Sequence, residues 1–381
     1  MISPSALDDL RERNPVPDVA SRWVSLRRGS KGRMVGPCPM HSTNPHARDS
    51  VSFECWPEGW VCAACQDGGD VIRLVELRER LDFRGAVAWL GGAQDVDPEE
   101  EARRARERAE RKARAEAQAA TYRERERRKM HRRWEASLPL AGSPAADYLA
   151  LRGLSAPPTA HLRFHPRMPY YVATGKDWRQ VHEGPAMLAG IIGPDARFAG
   201  VHITWLDLST PKGKAELFDP VTGEVLPAKK VRGSAGGGRI ELLRGPGAPC
   251  LILGEGIETV LSVYTALLET GRSLDGIAMW SAISLGNLAG GAARDSRERH
   301  PTAKDKAGRA LRVPGAVPDF DSKAVPIPDH VRDLRLLGDG DSDPFTTRLA
   351  MDRAAARHAA PGRRVSIAWP EPGRDFNSMV A

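Results

Sequence analysis

The sequence predicts an α/β protein of several domains. Three observations carry that expectation. Four of the five cysteines lie before residue 66. Residues 99–134 are almost free of large apolar side chains and hold no Gly or Pro. From residue 247 onward, apolar β-rich runs alternate with helical patterns, as in a mainly parallel sheet with helices on its faces.

The chain has 381 residues, of which 41% are hydrophobic. That is too long for one ordinary core and rich enough to bury at least one large one. A net charge of +7 and a pI near 9.3 suggest a polyanionic partner. No apolar run approaches the roughly 18 residues that span a bilayer. The N-terminal MISPSALDDLRERN lacks the layout of a signal peptide. A cytoplasmic protein without a membrane partner is expected, and the cysteines do not read as a secreted disulfide framework.

Residues 1–34 read as a helix followed by a strand near 23–26. Cys38-Pro-Met-His41 and Cys62-Ala-Ala-Cys65 then form two knuckles, with a strand–turn–strand pattern (SVSFECW, PEG, WVCAAC) between them. A hairpin returns the second knuckle to the first, and four N or S ligands at such spacing suit tetrahedral Zn²⁺ in a structural site, a zinc ribbon. His46 is an alternative to His41. Cys55 and Cys250 read as small buried residues. Asp70 to Leu90 reads as two short amphipathic helices.

Residues 99–134 carry fourteen Lys or Arg against eight Asp or Glu, a net +6, so nearly all of the chain's excess charge sits there. Pairs such as Glu107/Arg111 and Glu110/Arg114 favour a solvated helix. Either a spacer or a phosphate-tracking arm fits, the latter best at Arg123 to Arg133. Residues 291–330, rich in Pro, Gly and charge, read as a surface insertion. The expected division is 1–92, a linker helix over 93–135, an α+β region over 136–246, and an α/β domain over 247–381.

Ligands of open parallel sheets bind at the carboxyl ends of the strands. Glu255 follows CLILG, Asp339 and Asp341 follow LRLLG, and Asp375 lies past VSIAWP. Carboxylates converging on one sheet edge suit Mg²⁺ or Mn²⁺. Asp343 and Glu258 are supporting candidates.

These motifs resemble a known family. GPCPMHSTNPHARDSVSFECWPEGWVCAACQDGGDVIRLV is similar to the Cys-His-Cys-Cys zinc ribbon of DnaG-type DNA primases. EGIETVLS, the DGD stretch and the tail GRRVSIAWPEPGRDFNSMV resemble the Toprim domain of phage and mobile-element primases, with Ser378 where an Asp is common. AADYLALRGL, which contains Arg152, and PAKKVRGS resemble the primase core, the latter setting Lys230 at the family's lysine, with Lys229 and Arg232 beside it.

The resemblance implies a primase subdomain over 136–246 and a Toprim domain over 247–381. It implies a metal-dependent nucleotidyltransferase that makes short RNA primers on a single-stranded DNA template from ribonucleoside triphosphates. Glu255, Asp339 and Asp341 would be catalytic and metal-binding, and Lys229, Lys230, Arg232 and Arg152 would bind nucleotide or template. Phe53, Trp56 and Trp60 would stack on bases or pack the ribbon. Rival readings are another Toprim enzyme, such as a nuclease, or a single-strand-binding replication accessory protein. No G-x-x-x-x-G-K-[ST] occurs, so unwinding is expected from a separate replicative helicase.

Overall fold

The computed structural model describes residues 4–29, 32–47, 51–65, 67–92, 98–174, 177–304, 308–340, 342–371 and 373–380. The chain divides into two units, Met1–Ala117 with Pro301–Leu311, and Gln118–His300 with Arg312–Ala381. Among the described residues, no helix is long and apolar enough to cross a membrane.

The first unit begins with α1 (Pro4–Arg13) and α2 (Val16–Ala20). Five short strands follow: β1 (Arg27–Arg28), β2 (Met34–Gly36), β3 (Phe53–Trp56), β4 (Gly59–Cys62) and β5 (Asp67–Gly69). They pair in chain order as an antiparallel sheet. Residues 23–26, expected as strand, form a turn and bend, and the strand starts at Arg27. In β3 the side chains alternate, so Phe53 and Cys55 are buried while Glu54 and Trp56 are half-buried. Phe53 stacks on Trp60 at 5.6 Å between centroids, and both are almost fully buried. These two aromatics therefore pack the core, leaving Trp56 on the outer face under the Arg33 guanidinium.

α3 (Val71–Glu79) and α4 (Phe83–Trp89) match the two amphipathic helices expected. Each is capped by an aspartate: Asp70 accepts from the Arg73 N–H at 2.9 Å, and Asp82 from the Gly85 N–H at 2.7 Å. Val71, Leu74, Val75 and Val87 close over Leu10, Val16 and the sheet. Each fully buried side chain of this size contributes about 1.5–3 kcal/mol.

The charged segment forms α5 (Pro98–Glu135); residues 93–97 of the expected linker lie outside the described residues. Within the first unit, Arg108 forms an ion pair with the buried Asp9 of α1, and Arg111 reaches Glu12.

In the second unit, β6 (Leu138–Pro139), β7 (Leu162–Thr174), β8 (Asp177–Ile192), β9 (Phe198–Trp205) and β12 (Lys229–Gly233) form an antiparallel sheet in the order β12-β9-β8-β7-β6. α6 (Pro144–Leu151) precedes β7, and a small hairpin, β10 (Leu217–Phe218) with β11 (Val225–Leu226), precedes β12. The last turns of α5 lie on one face of this sheet. Met130 is fully buried there against Met168, Tyr170, Ile203 and Trp205.

The second sheet has the order β13-β15-β14-β18-β19, from β13 (Ile240–Leu243), β14 (Cys250–Gly254), β15 (Ile277–Ser281), β18 (Asp333–Leu337) and β19 (Arg364–Ala368). All its pairs are parallel except β13 with β15. α7 (Ile257–Glu269) covers the face toward the first sheet. Its Ile257, Val260, Leu261 and Tyr264 pack with Leu149, Phe164, Met187 and Ile191 in one core that spans both sheets. α8 (Leu285–Ala289) and α9 (Pro344–His358) cover the opposite face with Leu288, Met351 and Ala354.

Residues 291–330 hold the hairpin β16 (Glu298–Lys304) and β17 (Ala310–Val313). Two arginines of α9 fasten the flanking backbone. Arg353 donates to the carbonyls of Gly290 and Gly315, and Arg357 to that of Asp319 at 2.7 Å.

Candidate metal centre and active site

In the first unit the β3–β4 hairpin brings the two knuckles together. The Cys38 and Cys65 sulfurs are 3.7 Å apart, His41 Nδ1 and the Cys62 sulfur 3.9 Å. All four ligand atoms lie within 4.8 Å of one another. Zn–S bonds of about 2.3 Å at tetrahedral angles put ligand atoms about 3.8 Å apart, which these two distances match. His41 Nδ1 lies closer to the Cys65 sulfur, at 2.9 Å, and three thiols with one imidazole are a donor set that suits zinc. The Cys65 N–H donates to the Cys62 sulfur at 3.3 Å, which closes the second knuckle. His46 turns away, its Nδ1 2.8 Å from the Ser25 hydroxyl, which leaves His41 as the fourth ligand. Cys55 is buried mid-strand, its thiol pushed up to about 12 chiefly by burial.

In the second unit, Glu255, Asp339 and Asp375 line one cavity of about 300 Å³ together with Arg152, His202, Lys214, Lys229 and Glu258. Glu255 directly follows β14. The Ser281 hydroxyl, at the end of β15, donates to the Glu255 carbonyl at 2.8 Å and accepts from the Ile283 N–H at 3.1 Å. Ile283 holds a φ of 74°, a strained conformation for a β-branched residue, on the cavity wall.

Asp339 follows β18 between two glycines. A Cβ at Gly338 would meet the Trp369 ring at 2.4 Å, and one at Gly340 would meet the Arg374 carbonyl at 2.0 Å. Only glycine allows this approach, which lays the Asp339 loop against the segment carrying Asp375. Asp375 is oriented by Ser378, whose N–H donates to Oδ1 at 2.7 Å and whose hydroxyl donates to the Asp375 carbonyl at 2.8 Å. Ser378 thus shapes the turn that carries Asp375. Asp341 lies outside the described residues. Asp343 caps α9, accepting from the Thr346 N–H at 2.8 Å, and faces His300 at 3.0 Å. The zinc set is the sole tight group of three or more potential ligands among the described residues. The carboxylates share walls of the cavity, and oxygen donors of this kind suit Mg²⁺ or Mn²⁺.

The opposite wall is cationic. Glu258, in the first turn of α7, accepts from the Tyr148 hydroxyl at 2.7 Å, from Lys214 at 2.9 Å and from Lys229 at 2.9 Å. Burial pushes its carboxyl up, but the two ammonium charges and the hydrogen bonds outweigh that and hold it well below the carboxylate range. His202 is pushed down to about 4, by burial first and then by Lys229 and Lys214.

β12 separates the expected basic residues by face. Lys229 pairs with Thr204 across the ladder and looks into the cavity. Lys230 and Arg232 point to the other side, because side chains alternate along a strand. Lys230 donates to the Tyr171 carbonyl at 2.6 Å and lies over the Tyr170 ring, while Arg232 pairs with Glu126 of α5 at 2.6 Å. Neither lines the carboxylate cavity. Sequence reasoning missed Lys214, His202 and Tyr148, for which no local motif gives a signal. A larger groove of about 800 Å³, bordered by Trp134, His161, Arg163 and Arg244, has no carboxylate in its lining.

Residues 2–106 match the family described as the CHC2 zinc finger of DnaG. The N-terminal module is a CHC2 zinc finger. Over part of its length the chain is similar to bacterial DNA primases. It is 34% identical to that of Streptomyces coelicolor over 89 residues, 23% of this chain and 13% of the relative. It is 32% identical to that of Pseudomonas putida over 107 residues, 27% of this chain and 15% of the relative. The alignments thus span under a sixth of these relatives' length. Residues 124–242 match a family described as a domain of unknown function, DUF7146.

Among solved structures, the chain is similar to the Aquifex aeolicus primase zinc-binding and RNA polymerase domains at a TM-score of 0.35 and 15% identity. That match covers 99% of this chain and 82% of the other. A DnaG primase catalytic domain bound to ssDNA matches at a TM-score of 0.36 and 15% identity, covering 68% of this chain and 75% of the other.

Proposed function

We propose that the chain is a DNA primase, extending an RNA strand on a single-stranded DNA template from ribonucleoside triphosphates. The reading rests on one observation above others. Carboxylates from three strand ends of a parallel sheet face a lysine wall across one cavity. The CHC2 module and the similarity to bacterial primases support the choice of primase over other phosphoryl-transfer enzymes.

On this reading the 3′-hydroxyl of the growing strand attacks the α-phosphate of the incoming nucleotide, and pyrophosphate leaves. Glu255, Asp339 and Asp375 would hold Mg²⁺ or Mn²⁺, and Asp341 is proposed as a further ligand; when bound, the ion stabilises charge on the attacking and leaving oxygens. Lys229 and Lys214 offset phosphate charge from the opposite wall, and Arg152 adds a planar donor fork. The ribbon's outer face, with Trp56 and Arg33, offers a stacking surface for template bases.

The test is templated incorporation of ribonucleotides on defined single strands, with Mg²⁺ and with Mn²⁺, comparing wild type with Asp339→Asn. Primers from wild type alone support the reading. Cleavage of DNA without incorporation assigns a nuclease. Binding of DNA without either activity assigns an accessory protein.

A further inference from the structure

The acidic stretch after β14 contains two glutamates, Glu255 and Glu258, both lining the cavity. Their surroundings differ. Glu258 is 9% exposed, and both its oxygens are already engaged. Oε1 accepts from Tyr148 and Lys214, and Oε2 from Lys229. A carboxylate bonded by two ammonium groups and a phenol is a poor cation ligand, because a metal would have to displace hydrogen bonds and sit beside two positive charges.

The three partners come from distant parts of the chain. Tyr148 lies on α6, Lys229 opens β12, and Lys214 lies in the loop between β9 and β10. Glu258 is the common point at which they meet. Tyr148 is fully buried, and Lys214 is largely so. Removing one charge from such a cluster leaves the others unbalanced.

We propose that Glu258 is a positioning residue that sets Lys214 and Lys229 side by side as a clamp for a polyphosphate group. The inference rests on the nucleotidyl-transfer reading and assigns the two walls of the cavity different tasks, metal to Glu255 and Asp339, polyphosphate to the lysines. Two ammonium groups on the two oxygens of one carboxylate match successive phosphoryl groups of a triphosphate tail or of released pyrophosphate. A strand backbone, with one charge per nucleotide, fits such a close pair less well. Each Lys remains tethered on one side and has further N–H donors for phosphate oxygens. The buried Tyr148 hydroxyl fixes the carboxylate from behind.

The experiment measures tripolyphosphate, oligo(dT) and Mn²⁺ binding separately by calorimetry on the full chain, for wild type, Glu258→Gln, Tyr148→Phe, Lys214→Met, Lys229→Met and Glu255→Gln. Tripolyphosphate affinity is expected to fall ~10-fold for either lysine variant, the loss of one charged hydrogen-bond donor. It is expected to fall several-fold for Glu258→Gln and Tyr148→Phe, with Mn²⁺ binding retained. Glu255→Gln is expected to show the reverse. Tyr148→Phe removes only a hydroxyl and carries the test if Glu258→Gln does not fold.

Loss of Mn²⁺ binding in Glu258→Gln, with tripolyphosphate affinity unchanged, makes Glu258 a metal ligand and overturns the proposal. So does unchanged tripolyphosphate affinity in both lysine variants, or a loss confined to oligo(dT). Primer synthesis is scored apart: a clamp without templated synthesis upholds this inference and rejects the primase reading.

Discussion

Arg152 and Asn377 hold each other by a reciprocal pair of hydrogen bonds. The guanidinium donates to the Asn377 side-chain carbonyl, and the Asn377 amide donates to the Arg152 backbone carbonyl at 2.9 Å. Arg152 ends α6 and lines the cavity, while Asn377 is 6% exposed in the segment after β19. The C-terminal segment therefore aims a basic group into the site as well as supplying Asp375. Asn377→Ala is expected to cost about 1–3 kcal/mol, since it leaves buried polar groups unpaired. It is also expected to raise the KM for nucleotide more than it lowers kcat. Urea unfolding and primer kinetics check both; unchanged KM in a folded variant rejects the aiming role.

Each chain is expected to hold one zinc. Cys38 and Cys62 are buried in the core of the first unit, so metal and core stand or fall together. Cys62→Ser is expected to raise amide exchange throughout residues 32–92 while leaving 138–368 protected. Metal analysis together with exchange mass spectrometry reads both; freshly purified protein without zinc contradicts it.

Asp339→Asn keeps shape and removes a charge from a half-buried loop. Stability is expected to change by less than ~0.5 kcal/mol, as for most substitutions outside a core. Synthesis is expected to fall about 10³-fold, because charge placement supplies much of the rate of phosphoryl transfer. Equal primer yields from the variant and the wild type would reject the carboxylate edge as the active site.

His202 gives the second unit a pH dependence. Its folded value is about 4, against 6.5 for the free side chain. Between these values the unfolded chain binds a proton that the folded chain does not, so stability rises with pH. The contribution is fully present above about 6.5 and is lost as pH falls toward 4. His202→Gln is expected to flatten that part of the profile. Exchange rates in β9 and β12 at pH 7 and pH 5 check this without interference from zinc loss.

The basic end of α5 is expected to bind template phosphates through only some of its arginines. Arg127 is committed to Glu124 at 2.7 Å and to the Phe198 carbonyl, whereas Arg125 and Arg132 are exposed. Neutralising Arg125 and Arg132 is expected to flatten the salt dependence of single-strand binding by roughly 0.7 in log–log slope per lost contact. Arg127→Gln is expected to leave the slope and lower stability. An unchanged slope in the first pair returns the helix to a purely structural role.

The strands of the second sheet were legible because each is a short apolar run bounded by turn residues, and the sequence alternates them with helices. Strand ends then located Glu255, Asp339 and Asp375, since chain direction in a parallel sheet puts all three at one edge. The zinc ligands were legible for a similar reason: a hairpin must return its second knuckle to its first. The choice between Lys229 and Lys230 was not. A shift of one residue moves a side chain to the opposite face, and PAKKVRGS contains no local feature that sets the register. Lys214 and His202 were invisible because nothing near them in sequence needs them. Lys214 reaches Glu258, and His202 lines the same cavity, only once the second unit has packed. The roles of Phe53 and Trp60 were left open between base stacking and packing, and burial decides for packing.

The core shared by the two sheets has an evolutionary corollary. Leu149, Phe164 and Met187 on one side interlock with Ile252, Val260 and Leu261 on the other. Recombination between distant relatives with a crossover near residue 246 would join halves whose interior shapes were selected apart, leaving voids or clashes where these side chains meet. Residues 138–368 are therefore expected to be inherited as one block, with sequence drift on the two sides of the junction correlated through volume rather than through charge.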